Sequence, residues 1–412
     1  MIKKIPVEEL CVGMYVDSID EKWINTPFLQ HQFTVKTSKQ VTQIKELGLK
    51  YVYIDSDKSH TPDEIYDVVV SHGIEVKIDE PDSQSVPYTQ QEIEKYYHDF
   101  NLFTHIDRDT LIKGAFVDFS LYLKKDINIT ILQKYEANDI EITESILSTE
   151  GDIVIEKDSR SKYKNYLKDL FITKSLNEPD KFKHISKSII RENSKILMQE
   201  LLDDPRCGEK IKECRGSVEE IVDTIEKNGV LIKDLLTINK YDYYTYTHSV
   251  NVCVLSIGLA LSLGTFTENE IYSLGMGALL HDIGKSSIPI EILNKPSVLN
   301  EKEFSIMKQH VLMANKILYG QKLLLKEIYY PVMEHHEKLT GRGYPKGLAD
   351  NQIHPWGRLV SLIDAYDALT TARPYKKAFS PFEALSVIRQ QIDDFDHTFF
   401  VNLVTILGSI SD

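Results

Sequence analysis

Cysteine, positive charge and unbroken apolar stretches are all in short supply along this chain of 412 residues. Its four cysteines, Cys11, Cys207, Cys214 and Cys253, fall at neither metal-ligand nor disulfide-framework spacing. They read as reduced thiols, the pattern of a cytoplasmic protein. No unbroken apolar run reaches the ~18 residues that cross a bilayer, and the opening MIKKIPVEEL lacks a signal-peptide core, so no membrane partner is expected. Lysine and arginine number 48 against 62 aspartates and glutamates, for a net charge of −14. That balance argues against duplex nucleic acid or an anionic membrane as the main partner, while leaving room for a local basic pocket that holds a small anion.

What is present divides in two. Gly13-Met14-Tyr15-Val16 and Leu49-Lys50-Tyr51-Val52-Tyr53-Ile54-Asp55 alternate as strands do, and residues 35–47 have helical spacing. Residues 56–90 are largely polar, with Asp, Ser and Pro scattered through them, and read as a linker. A second pass of the same design starts near Phe103. Residues 106–117 lie over residues 5–16 with a one-residue adjustment, and each copy runs on to a helix and an apolar strand. We read a divergent internal repeat. Neither copy holds a glycine-rich phosphate loop or an acid–base cluster, so both read as packing or sensing modules. From Tyr163 the pattern turns helical, with apolar residues three and four apart over residues 182–202 and 217–236. The expected organisation is a small α+β module with its linker at 1–90, a second α+β module at 91–175, and a mainly α helical bundle at 176–412.

Histidine is placed unevenly, with five of the thirteen between His248 and His336. His281-Asp282-Ile283-Gly284-Lys285 closes an apolar helical run that opens on Thr267-Glu268-Asn269-Glu270, a capping-box pattern. Neighbouring residues on a helix point about 100° apart, so His281 and Asp282 reach one ion most easily where the helix frays. Gly284 would release the chain there, and Lys285 would bring a cation close. His248 opens an apolar helix, His310 lies in another, His335-His336 follows a third, and Asp364 sits in a fourth. Singly, each has a plain alternative. A lone His248 or His310 is a hydrogen-bonded core residue, Asp364 an ion-pair partner, His335-His336 a solvated helix end, and Lys285 a surface lysine. Together they put seven imidazoles and carboxylates on otherwise buried helices, where unpaired polar groups are costly, and so call for a cation. Imidazoles and carboxylates without thiolates suit iron, manganese, zinc or nickel rather than calcium or magnesium. His354 and His397 fall outside the pattern and read as structural.

His281-Asp282-Ile283-Gly284-Lys285, together with His335-His336-Glu337-Lys338-Leu339-Thr340-Gly341-Arg342-Gly343-Tyr344-Pro345, resembles the HD-GYP family of cyclic-dinucleotide phosphodiesterases, over about residues 217–407. The likeness takes in the segment before His248, the helix from Asp364 to Thr370, and Arg373-Pro374-Tyr375-Lys376. Residues 2–57 more faintly resemble an uncharacterised module often found ahead of such domains. The resemblance implies an HD-type bundle with two divalent metal ions, iron or manganese. One would be held by His248, His281, Asp282 and Asp364; Asp282 would bridge to a second, held by His310, His335 and His336. Members with a Glu four residues before the first His bind a third metal, and Tyr244 stands there instead. Catalysis would fall to His281, Asp282 and Lys285, and phosphate contacts to Arg373 and Lys376. Gly343 and Tyr344 would shape a substrate loop, with Tyr344 stacking on a base, meeting a partner protein or simply packing. Asp367, three residues after Asp364, would orient a ligand histidine. Thr340 replaces a usual Asp, which puts the anchoring of the loop at 341–345 in question.

The implied activity is hydrolysis of cyclic di-GMP to pGpG and onward to GMP, with the N-terminal half regulatory. Preference for 3',3'-cyclic GMP–AMP is one alternative. A non-hydrolytic receptor is another, disfavoured because no metal ligand is missing, and the Gly343-Tyr344-Pro345 motif disfavours a simple nucleotide phosphohydrolase. The resemblance also allows a diguanylate cyclase or adaptor docking on that loop, and a homodimer.

Overall fold

The computed structural model describes residues 2–7, 10, 14–19, 33–35, 44–45, 49–55, 102–125, 128–136, 138–177, 179–228, 245–293, 295, 298–319, 321, 324–371 and 378–408. The chain forms two compact units, residues 1–79 with 403–412, and residues 80–402.

In the first unit, β1 (Ile2–Pro6), β2 (Tyr15–Ile19), β3 (Phe33–Thr34) and β4 (Tyr51–Asp55) make an antiparallel sheet in the order β1-β4-β2-β3. Strand β4 shows why. Its Val52 and Ile54 alternate into a core with Val7, Leu10, Val16, Val35 and Ile44, leaving Tyr51 exposed. Most of the helix expected at 35–47, and the linker at 56–90, lie outside the described residues.

In the second unit, β5 (Phe103–His105), β7 (Leu121–Lys125), β8 (Asn128–Gln133) and β10 (Asp152–Glu156) form another antiparallel sheet, ordered β5-β10-β7-β8. Both sheets thus run first strand, last, second, third. They differ in one respect. β6 (Phe116–Val117), which sequence lays over the start of β2, leaves the main sheet and pairs with β9 (Ile140–Glu141). The short α1 (Glu144–Ser148) precedes β10, whose Ile153, Val154 and Ile155 are all buried. The sheet packs against α2 (Arg160–Asn177) and α3 (Pro179–Asp203) through Ile155, Tyr163, Leu167, Ile189 and Ile196.

The chain breaks after Asp203, as its Asp-Asp-Pro-Arg sequence requires, and resumes as α4 (Gly208–Asn228). Next comes α5 (Thr245–Leu263), which packs against α3, α6 (Glu268–Leu280) and α11 (Pro355–Thr370). Its window Tyr246–Leu263 is long and apolar enough to cross a membrane, yet 78% of it is buried inside the unit, which makes it the core helix. At the start of α6 the Glu270 carboxylate accepts from the Thr267 backbone N–H and hydroxyl, at 2.8 and 2.7 Å. Shorter helices follow: α7 (Ile290–Leu293), α8 (Glu301–Met307), α9 (Gln309–Leu318), α10 (Tyr329–Glu334), α12 (Pro381–Gln390) and α13 (His397–Gly408).

Candidate metal centre

His281 caps the C-terminus of α6, His335 caps that of α10, and His310 stands at the start of α9, just after α8. Each ring donates Nδ1–H to a carbonyl three or four residues back: His281 to Ala278 at 2.7 Å, His310 to Met307 at 2.7 Å, and His335 to Pro331 at 2.9 Å. Those carbonyls lie in the last turns of their helices, where backbone acceptors have capacity to spare. The bond fixes the tautomer and turns the bare Nε2 of each ring inward. His248, in the first turn of α5, has no such carbonyl. Its Nδ1 instead donates to Asp367 Oδ2 at 2.7 Å, while Asn251 donates to Asp367 Oδ1 at 3.0 Å.

The inward atoms form two groups, Asp282 with His310, His335 and His336, and His248 with His281 and Asp364. Asp282 faces both. Its Oδ2 is 3.3 Å from His281 Nε2 and 3.7 Å from His248 Nε2, and its Oδ1 is 3.3 Å from His310 Nε2. Asp364 also spans the two, with Oδ1 2.9 Å from His248 Nε2 and Oδ2 3.8 Å from His336 Nδ1. His281, Asp282, His310 and His335 are buried. Asp364 and His336 keep 14% and 26% of their side-chain exposure and so mark the open side.

The charges suit cations. Burial opposes ionisation of Asp282 and Asp364, but Lys285 and His281 beside the first, and His248 beside the second, hold both carboxyls well below their usual range. Burial lowers His310 and His335 and takes His336 down to about 3, so these rings are neutral electron-pair donors. Burial pushes His248 the same way, yet the carboxylates of Asp364 and Asp367 outweigh it and raise its imidazole well above 6.5. The same negative field would act on a metal. Two further observations fit a metal. The bare Nε2 atoms of His310 and His335 face each other at 3.3 Å, an arrangement of two lone pairs that needs a cation between them. His281 Nε2 and Asp282 Oδ1 are buried without hydrogen-bond partners.

Lys285 ion-pairs with Asp282 Oδ2, so its charge lies on the carboxylate shared by the two groups. Gly284 does not act as a helix stop through a left-handed backbone. The chain continues as a 3-10 turn, Ile283–Ser287, and a Cβ on Gly284 would lie 1.9 Å from the His310 carbonyl oxygen. Glycine is required because α9 presses on it. Gly343 is likewise a close approach, since a Cβ there would lie 2.5 Å from the His336 carbonyl oxygen and the Lys338 nitrogen.

The loop carrying Gly343 is anchored in ways that sequence did not expose. The buried Glu337 carboxylate accepts from the Lys346 and Leu348 backbones at 2.8 and 2.9 Å. Thr340 Oγ1 donates to Asp394 Oδ1 at 2.5 Å, and Arg342 donates to the same oxygen at 3.0 Å. Asp394 thereby supplies a carboxylate beside the position where Thr340 lacks one. Tyr344 stacks on His336, with centroids 4.6 Å apart, and meets Phe304 edge-on at 6.3 Å, the arrangement of a packed loop side chain. Arg373 and Lys376, and also Tyr244, lie outside the described residues. His354 caps α11, accepting from the Trp356 N–H at 3.2 Å.

Residues 230–399 match the HD domain family, and residues 2–99 match a domain of unknown function (DUF3391). Over residues 230–399 the chain thus matches the HD domain, and its motif residues there resemble those of the HD-GYP branch.

A cyclic di-GMP phosphodiesterase of Pseudomonas aeruginosa is 33% identical over 223 residues, covering 54% of each chain. A cyclic di-GMP phosphodiesterase of Thermotoga maritima is 37% identical over 152 residues, 35% of this chain and 41% of that one. A 3'3'-cGAMP-specific phosphodiesterase of Vibrio cholerae is 35% identical over 152 residues, 36% of this chain and 34% of that one. The chain thus spans about half or less of the curated relatives it matches. An HD-GYP-type protein from Bdellovibrio bacteriovorus shares the fold, with a TM-score of 0.59 and 21% identity over 74% of this chain and 99% of that one. In the HD domain described here, the seven motif histidines and aspartates lie in two adjacent groups.

Proposed function

We propose that this chain is a metal-dependent phosphodiesterase that hydrolyses a cyclic dinucleotide, with cyclic di-GMP opened to pGpG as the first choice. The observation that carries this reading is the convergence of seven donors into two groups that share Asp282. His248, His281, Asp282 and Asp364 would hold one cation, and Asp282, His310, His335 and His336 the other. Iron and manganese are the first candidates for this donor set. When bound, the metal pair supplies nucleophilic hydroxide at neutral pH and charge neutralisation for a phosphodiester.

The chain's own residues prepare that chemistry. Three Nδ1–H bonds to helix-end carbonyls keep Nε2 lone pairs aimed at one place, which lowers the reorganisation a reaction would demand. Lys285 keeps a cation beside the shared carboxylate, positioned to neutralise the scissile phosphate or the departing oxygen. Arg373 and Lys376 are proposed to hold the phosphates, Arg by a bidentate fork and Lys as a point charge. Asp364 and His336, the more exposed members, mark the side from which the dinucleotide approaches.

Support for the substrate class comes from the relatives, which include enzymes of both cyclic di-GMP and 3'3'-cGAMP. Cyclic GMP–AMP is therefore the second reading. The same reading makes the N-terminal modules regulatory and the location cytoplasmic. The test is metal analysis of the purified chain beside turnover of the two dinucleotides. Asp282→Ala should lose both metal and turnover while keeping its circular dichroism spectrum. Full turnover by folded Asp282→Ala would refute the proposal.

A further inference from the structure

We propose a second ligand site away from the metal cluster, a cleft of about 220 Å³ where the second α+β module meets the HD domain. It takes a small, largely apolar molecule with one anionic group and one hydrogen-bond donor. Phe103 of β5, Leu202 of α3, Tyr246 of α5 and Ile288 line it, so the body of the ligand meets aromatic and aliphatic surface. At this volume the site falls below the ~300–1,000 Å³ of drug-sized pockets, which suits a metabolite-sized molecule.

Two polar features set the ligand's chemistry. Gln199, only 7% exposed, lines the cleft, and its Oε1 has no hydrogen-bond partner among the described residues. A buried carbonyl left unpaired is costly, and a ligand N–H or O–H would satisfy it. The charge is unbalanced as well. Lys157 and Arg160 share a single carboxylate, Asp203, at 2.9 and 2.7 Å, while Lys285, also on the lining, pairs with Asp282. An anionic group on the ligand would complete the balance.

Lys285 links this cleft to the metal cluster, since it also ion-pairs with Asp282. An anion drawing on Lys285 would leave the Asp282 carboxylate freer to hold cations. Cleft occupancy and metal binding then strengthen one another by the same factor. This coupling rests on the proposed metal centre; binding in the cleft does not.

The probe is indole-3-acetate, which has a flat apolar ring, one N–H and one carboxylate, titrated into the full chain by calorimetry. Indole alone tests the need for the anion. Indole-3-acetate should bind and indole should bind more weakly. Leu202→Trp, which fills the cleft, should abolish binding. Gln199→Leu should weaken binding about fivefold, the loss of one neutral hydrogen bond, and should raise the melting temperature of the ligand-free chain. Mn²⁺ should tighten the probe, and the probe should tighten Mn²⁺, as read by the electron spin resonance of free Mn²⁺. Absence of binding, or binding that survives Leu202→Trp in a folded protein, overturns the site. Mn²⁺ binding indifferent to the probe overturns the coupling. A chain that binds the probe but neither Mn²⁺ nor Fe²⁺ sinks the phosphodiesterase reading, and the coupling with it, while the cleft stands.

Discussion

Asp367 offers the sharpest test of how the metal centre is assembled. Its carboxylate accepts from His248 Nδ1 at 2.7 Å, from Asn251 at 3.0 Å and from Thr371 Oγ1 at 3.3 Å, all in a buried setting. In Asp367→Asn the amide oxygen can still face His248, and Asn251 can turn its own amide to match. What is lost is the charge. A hydrogen bond to a charged group contributes ~1.5–3 kcal/mol and a neutral one ~0.5–1.5, so the change is about 1–1.5 kcal/mol. That corresponds to roughly tenfold weaker metal binding, at about 1.4 kcal/mol per decade. In Asp367→Ala the His248 ring also loses its orientation, and the loss should reach the upper part of the ~10–100-fold range typical of such supports. The assay is titration of metal-free protein with Mn²⁺, followed by the electron spin resonance of free Mn²⁺, with circular dichroism to confirm folding. Because Asp367 touches only His248 among the seven donors, one binding step should weaken and the other should hold. Equal weakening of both steps, or unchanged affinity in folded Asp367→Ala, would refute the reasoning.

Three other expectations follow from the same contacts. Gly284→Ala places a methyl 1.9 Å from the His310 carbonyl oxygen and 2.5 Å from the Ala314 nitrogen, and should cost at least the ~1–3 kcal/mol of core overpacking in urea unfolding, with loss of metal at the His310 group. Asp394→Ala frees Thr340 and Arg342 and should speed tryptic cleavage after Arg342 about tenfold by easing local opening, with metal affinity unchanged; Thr340→Asp should do the same, because it sets two carboxylates together, whereas Thr340→Ser should not. In metal-free protein, His105, His310, His335 and His336 all sit below 6.5, mainly through burial, so their contribution is complete above that pH and is lost as pH falls toward the folded values. His248, raised, acts in the opposite sense, so the net expectation is a urea midpoint that falls on acidification from 6.5; a flat profile would count against neutral rings.

Much of the architecture was legible because local chemistry and global packing agree. The Thr267 and Glu270 pairing, the break after Asp203 and the alternation through Val52 and Ile54 each reflect a short-range rule. The shared strand order of the two sheets was legible only as a loose overlay of residues 5–16 on 106–117, because strand order is a tertiary property. The departure of Phe116–Val117 into its own ladder with β9 had no signal at all. Asp394 was missed for a related reason. It lies 54 residues from Thr340, and an exposed-looking Asp beside Asp393 carries no periodicity that would aim it at a loop.

The seven clustered donors, and Asp367 beside one of them, were legible in the sequence, but the backbone carbonyls that orient the other rings were not, and helix ends explain the difference. The last carbonyls of a helix have acceptor capacity to spare, and an imidazole placed just there can donate Nδ1–H to one of them. His281, His310 and His335 do this at the ends of α6, α8 and α10, so three rings are oriented by backbone alone and need no partner side chain. His248 sits instead in the first turn of α5, where the exposed backbone groups are N–H donors that an Nδ1–H cannot use. Orientation there requires an acceptor from elsewhere, and α11 provides one by carrying Asp367 one turn beyond Asp364. The spacing Asp364 to Asp367 therefore belongs to the centre as much as any histidine does. Sequence could suggest that Asp367 shares a face with Asp364, but only the placement of His248 at a helix start makes that carboxylate necessary.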